Sequence, residues 1–245
     1  MKPSVSETAP ASPATGASAF SRPVLCAVLD VSAFHDAPRQ TAQALFAAGV
    51  DWIQIRDRSA TGEQLEATAA GVAAARDAAQ KAEREGAAAA PRVFVNKRAD
   101  IAWATGADGV HLGGDALSVK HAGQLLPGAL LLGASFHSEN EISEALGGRT
   151  ASDSPLHYGH LAPIWDPRSK PAERPALGLD RLATAAALGL PLIAQGGLDA
   201  ERAGQAISAG AAGIAVTGLL TLAADPPAVA RDLRAALDRA APQDG

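Results

Sequence analysis

Eight short apolar runs, each opening or closing beside Gly, Asp or Asn and each followed by an Ala-rich stretch, recur at nearly even spacing between residues 24 and 219. They lie at 24–30, 52–57, 92–97, 109–113, 130–136, 158–165, 191–197 and 213–218. Strand-length runs alternating with helical stretches predict βα units, and eight in succession predict a (β/α)8 barrel, the TIM-barrel form of the α/β class. That architecture places its chemistry at the C-terminal ends of the strands. Here those ends carry Arg56, Arg58, Asn96, His111, Ser135, His137, Lys170 and the pair Gly196-Gly197.

The intervening segments at 37–48, 64–84, 118–126, 138–146, 179–188, 200–209 and 226–240 combine strong helix formers with apolar residues three and four apart. A shorter helix follows Asn96-Lys97. The stretch 86–91 reads as a flexible return to the third strand, and 165–178, charged and broken by Pro167, Pro171 and Pro175, is a candidate active-site lid or else a solvated loop.

A chain of 245 residues with 47% hydrophobic content fills the core of one barrel, expected over 22–241. Residues 1–21, rich in Ser, Ala, Thr and Pro without periodicity, predict a disordered leader that is too polar for a signal sequence. No run approaches a membrane span. Cys26 stands alone, which excludes an intrachain disulfide, fits a reducing cytoplasm and suits a small core residue. A net charge of −5 argues against a nucleic-acid surface, so the cations at the strand ends point to a small anion. A homo-oligomer is compatible with this composition.

Strand alternation puts Gln54, Arg56 and Arg58 on one side, where three donors converge at the barrel mouth if that side is the lumen. Without an anion, buried guanidiniums would need a carboxylate network, with Asp57 as its nearest member. The run Asn96-Lys97-Arg98-Ala99-Asp100 reads equally as a site or as a charged helix start. Gly196-Gly197 and Thr217-Gly218 lie where backbone N–H groups of such barrels meet phosphate, or serve only as tight turns. Of six histidines, His35 and His121 read as surface residues, while His111 alternates into strand four and His157 and His160 flank strand six. His137, at the end of strand five, is the preferred proton-transfer residue, the alternative being a helix cap. No spacing suggests a metal site of the zinc type.

In order along the chain, Gln54-Ile-Arg56, Val95-Asn96 with Arg98 and Asp100, Ala107-Asp-Gly-Val-His111-Leu-Gly113, Gly133-Ala-Ser135-Phe-His137, Ala162-Pro-Ile164 with Lys170, and Gly196-Gly197 before Gly213-Ile-Ala-Val216 resemble the thiamine phosphate synthase and thiazole tautomerase superfamily. The resemblance covers nearly everything after the leader, and the Ala-Asp-Gly-Val-His-Leu-Gly segment is its most specific piece. It implies thiamine biosynthesis, with a small phosphorylated thiazole as substrate.

The two branches differ in chemistry. The synthase joins a pyrimidine diphosphate to a thiazole phosphate using Mg2+ held by two aspartates, and the matching positions here are Lys97 and Ala116, with Asp100 and Asp115 nearby. Its Thr-x-Thr-Lys loop corresponds to Pro167-Arg168-Ser169-Lys170, and Arg58 stands where a lysine is usual. An octahedral Mg2+ site stripped of both carboxylates loses its anchor. The expectation is therefore a metal-independent thiazole tautomerase, an isomerase without cofactor that moves a proton through His137, with the phosphate on Gly196, Gly197, Thr217 and Gly218. The synthase, a transferase needing Mg2+, is the alternative. A non-catalytic protein that binds a thiamine precursor is a third reading.

Overall fold

The computed structural model describes residues 20–83, 90–126, 128, 130–166 and 174–241. Eight parallel strands close into one barrel in sequence order, with β8 paired to β1. The strands are β1 Val24–Leu29, β2 Trp52–Ile55, β3 Arg92–Asn96, β4 Gly109–Leu112, β5 Leu131–Phe136, β6 Tyr158–Leu161, β7 Leu192–Gln195 and β8 Gly213–Val216. Around them lie α1 Pro38–Ala47, α2 Gly62–Glu83, α3 Ala99–Ala104, α4 Val119–Leu125, α5 Glu139–Leu146, α6 Gly178–Ala186, α7 Ala200–Ser208, α8 Gly218–Thr221 and α9 Pro226–Ala240. The helical periodicity predicted all but α8, a single turn too short to show one.

Because strand side chains alternate, the outward set and the lumen set form separate cores. Ile53, Ile55, Val93, Val95, Val110, Leu132, Ala194 and Ile214 pack beneath the helices. Val24, Cys26, Val28, Trp52, Phe94, Leu131, Tyr158, Ile193 and Ala215 fill the lumen. Its centre is a ring cluster in which Trp52 lies 4.9 Å from Phe94 and 5.0 Å from Tyr158, centroid to centroid. Gly133 makes room for it, since a Cβ there would stand 2.1 Å from Tyr158 Cζ. Burial pushes the Cys26 thiol up, so it stays protonated and inert.

The N-terminal end of the lumen is closed. Phe20 packs edge-on against Trp52 at 5.5 Å, which corrects the leader boundary: this aromatic, expected in a disordered segment, belongs to the barrel floor. Residues 1–19 lie outside the described residues. Beside the floor, the buried carboxylate of Asp51 accepts from the Leu25 N–H at 2.8 Å, the Arg234 guanidinium at 2.9 Å and the Arg22 guanidinium, tying β1, β2 and α9 together.

Candidate active site

At the C-terminal end the same alternation delivers polar side chains. Trp52 is followed two residues on by Gln54, Phe94 by Asn96, Tyr158 by His160 and Ile193 by Gln195. Gln54 is buried while Arg56 and Arg58, past the end of β2, are exposed, so the guanidiniums sit on the rim rather than inside. Asp57, the nearest carboxylate in sequence, is engaged elsewhere. It accepts from the amides of Val31, Ser59 and Ala60 and the Ser59 hydroxyl, which against its partial burial hold its carboxyl down to about 2. Arg56 is near enough to help keep His111 neutral.

His111 lies at the heart of the mouth. Its Nε2 is 2.8 Å from Ser135 Oγ and its Nδ1 3.2 Å from the Tyr158 hydroxyl, and its ring centroid lies 4.4 Å from that of His160, the two rings tilted by 45°. Both imidazoles are buried, and burial first of all holds them neutral, His160 at about 3 despite its hydrogen bond to Gln195. His160 Nε2 and Gln54 Oε1 are buried polar atoms without a hydrogen-bond partner among the described residues. Sequence reasoning left His160 as a residue flanking strand six, but its position two residues past the lumen-facing Tyr158 was the available signal.

His137 does not cap α5. That role falls to Ser138, whose Oγ accepts from the Glu141 N–H, while the His137 N–H donates to the Glu141 carboxylate. The His137 Nδ1–H donates to the Ala162 carbonyl at 2.7 Å, leaving Nε2 as the ring's remaining polar atom.

On the opposite side, Gly196 and Gly197 adopt left-handed φ of 100° and 62°. A Cβ on Gly197 would stand 2.5 Å from the Asp166 carbonyl and 2.7 Å from Trp165 Cβ. The glycines are thus required by backbone conformation and by the β6 loop lying over them, independently of any ligand. The Gly196 carbonyl accepts from the Trp165 N–H and that of Gly197 from the Arg202 guanidinium at 2.6 Å, which also lies over the Trp165 ring. Trp165 and Arg202 were missed from sequence: Trp165 closes the sixth apolar run but carries no charge or titratable proton to mark it, and Arg202 lies within α7. Thr217 leads into α8 and is exposed, followed by Gly218. Lys170 and the central part of the expected lid, residues 167–173, lie outside the described residues.

At the β3 and β4 ends, Lys97 holds a left-handed φ of 63° and its Nζ pairs with Asp115. The other nearby carboxylate, Asp100, is held by Arg98 through contacts of 2.9 and 2.6 Å. Neither is a free metal ligand, Ala116 supplies none, and no group of three His, Cys, Asp or Glu side chains able to hold a metal ion occurs among the described residues. The side chains at this mouth do not fit a carboxylate-bound Mg2+.

The family model described as thiamine monophosphate synthase matches residues 25–220. The chain belongs to that family. A thiamine-phosphate synthase of Mycobacterium tuberculosis is 40% identical over 208 residues, covering 82% of this chain and 88% of its own. That of Mycolicibacterium smegmatis is 39% identical over 205 residues, covering 81% and 85%. The solved thiamine phosphate pyrophosphorylase of Pyrococcus furiosus shares the barrel with a TM-score of 0.71 at 22% identity, covering 89% of this chain and 96% of that one. These relatives overturn the expectation of an isomerase of the tautomerase type: the curated proteins this similar along nearly their whole length are named synthases. The expectation rested on lost carboxylates at Lys97 and Ala116, and such a loss removes a metal anchor without removing the cations that can face a diphosphate. Among the described residues no helix is long and apolar enough to cross a membrane.

Proposed function

We propose that this protein is a thiamine phosphate synthase, a transferase joining a pyrimidine diphosphate to a thiazole phosphate. The observation that carries the reading is the 40% identity to a thiamine-phosphate synthase across 88% of that protein's length. The geometry agrees with it. Two anion-directed regions face each other across the mouth: the cations Arg56, Arg58 and Lys97 at the ends of β2 and β3, and the glycine turns after β7 and β8.

In this reading the thiazole phosphate lies against Gly196, Gly197, Thr217 and Gly218. Both carbonyls of the first pair are already occupied, so their N–H groups are the polar atoms left to a ligand. The pyrimidine diphosphate lies against Arg56, Arg58 and Lys97. Gln54, Asn96, His111 and Ser135 hold the two rings between these ends, and His137 offers Nε2 at the rim. A nitrogen of the thiazole forms a bond to the pyrimidine's methylene carbon as the bond from that carbon to the diphosphate oxygen breaks, and the diphosphate leaves with the electron pair. Negative charge grows on the leaving group, where preoriented cations stabilise it. Proton transfer is not the central step, so His137 serves as a hydrogen-bonding residue toward the substrates.

The test is diphosphate release measured with both substrates and with each alone. Release that requires both supports the synthase. Release from neither mixture, with binding retained, would favour a non-catalytic protein.

A further inference from the structure

We propose that the ammonium of Lys97, helped by the exposed Arg58 just past the end of β2, takes the substrate diphosphate in the place that a carboxylate-bound Mg2+ would occupy, and that Asp115 is the counter-ion the diphosphate displaces. This rests on the synthase reading. It arises from the donor set at the β2, β3 and β4 ends, where the available carboxylates are both committed to cations and a lysine stands directly after Asn96.

Several features hold Lys97 in place. Its backbone occupies the left-handed region, which a residue with a side chain seldom adopts, and its N–H donates to the His111 carbonyl at 2.9 Å, tying it to β4. Gly113 leaves room for its stem, since a Cβ there would stand 3.1 Å from Lys97 Cε. The Nζ reaches Asp115, whose carboxyl is lowered first by the hydrogen bond from Lys97 and also by the charge of Arg58. Lys97 is thus the cation paired with Asp115, and Arg58 is near enough for its charge to act on the same carboxyl. The Asp115 side chain is 77% exposed, so the pair contributes little that a ligand must overcome. A diphosphate carries more charge than one carboxylate and offers more acceptor oxygens to the same donors, and lysine is a proven point-charge partner for phosphate.

Calorimetric titration with inorganic pyrophosphate, in EDTA and then with Mg2+, reads this directly. Wild type should bind in EDTA and gain no more than about twofold from Mg2+, and Lys97→Gly, which suits the left-handed backbone, should weaken binding at least about tenfold. Arg58→Ala should weaken it as well, and it leaves the strained position untouched. Binding that vanishes in EDTA and returns with Mg2+, or undiminished binding by both variants, would overturn the proposal. Turnover with both substrates is measured alongside in each buffer. Absence of product in both buffers refutes the synthase reading, whereas product in Mg2+ alone refutes only the metal replacement.

Discussion

The two ends of the lumen are built from the same strands two residues apart, roughly 6.6 Å along each chain, yet they serve opposite purposes. At the floor, Phe20, Trp52, Phe94 and Tyr158 interlock above a buried ion cluster on Asp51. At the mouth, Gln54, Asn96, His111 and Gln195 give way to exposed arginines. Residues at the floor are largely buried and tied to one another, whereas Arg56 and Arg58 at the rim are exposed where the proposed substrates would meet them. Substitutions at the floor should therefore cost stability, and those at the rim should cost binding and turnover.

The largest effect is expected at Asp51. Asp51→Ala removes the buried carboxylate from the Arg234 guanidinium and the acceptor of the Leu25 N–H, leaving Arg234 with the half-exposed Asp238; the loss should approach the about 3–5 kcal/mol of a broken buried ion pair, read by denaturant unfolding. Next comes Gly133→Ala, whose Cβ would drive into the Tyr158 ring; overpacking of this kind costs about 1–3 kcal/mol. If that variant unfolds like wild type, the lumen is looser than the ring contacts imply.

The buried imidazoles sharpen the comparison between the floor and the mouth. His160 is held neutral in the folded state with a pKa near 3 against 6.5 for an ordinary histidine, so the unfolded chain binds the proton first. Its stability contribution is complete above pH 6.5 and declines as the pH falls toward 3, by at most about 1.4 kcal/mol per pH unit. His111 adds in the same direction. Thermal midpoints between pH 7.5 and 5 should fall, on the order of a few degrees per unit, and His160→Gln should flatten the slope. The smallest stability change is expected at the rim: Arg56→Ala should shift unfolding by no more than about 0.5 kcal/mol while lowering kcat/KM roughly tenfold or more. A rim substitution that costs as much stability as Asp51→Ala would erase the distinction between the two ends.

The barrel was legible because its signals repeat: short apolar runs followed by helix-forming stretches recur eight times, and each recurrence reinforces the others. The alternation pointed Gln54, Arg56 and Arg58 to one side, and the structure buries Gln54 while leaving both arginines exposed past the end of β2. What sequence could not show were single contacts. Phe20 carries no periodicity, so only its packing on Trp52 shows that it belongs to the floor. The occupation of Asp57 by three backbone amides depends on a turn that brings Val31 to it from the preceding loop. The need for glycine at position 197 arises from the β6 loop above it, a contact between separate βα units. The choice of branch failed for a different reason. It weighed two carboxylate positions, whereas a diphosphate can be met by cationic side chains as well as by a metal, so those positions do not discriminate between the chemistries.

The most direct test of the synthase reading is chemical identification of the product. Purified protein is incubated with pyrimidine diphosphate and thiazole phosphate, and thiamine phosphate is quantified by mass spectrometry against the diphosphate released. The account predicts both products in equal amounts, and neither when one substrate is omitted. Substrates recovered unchanged from a protein that binds them would contradict it.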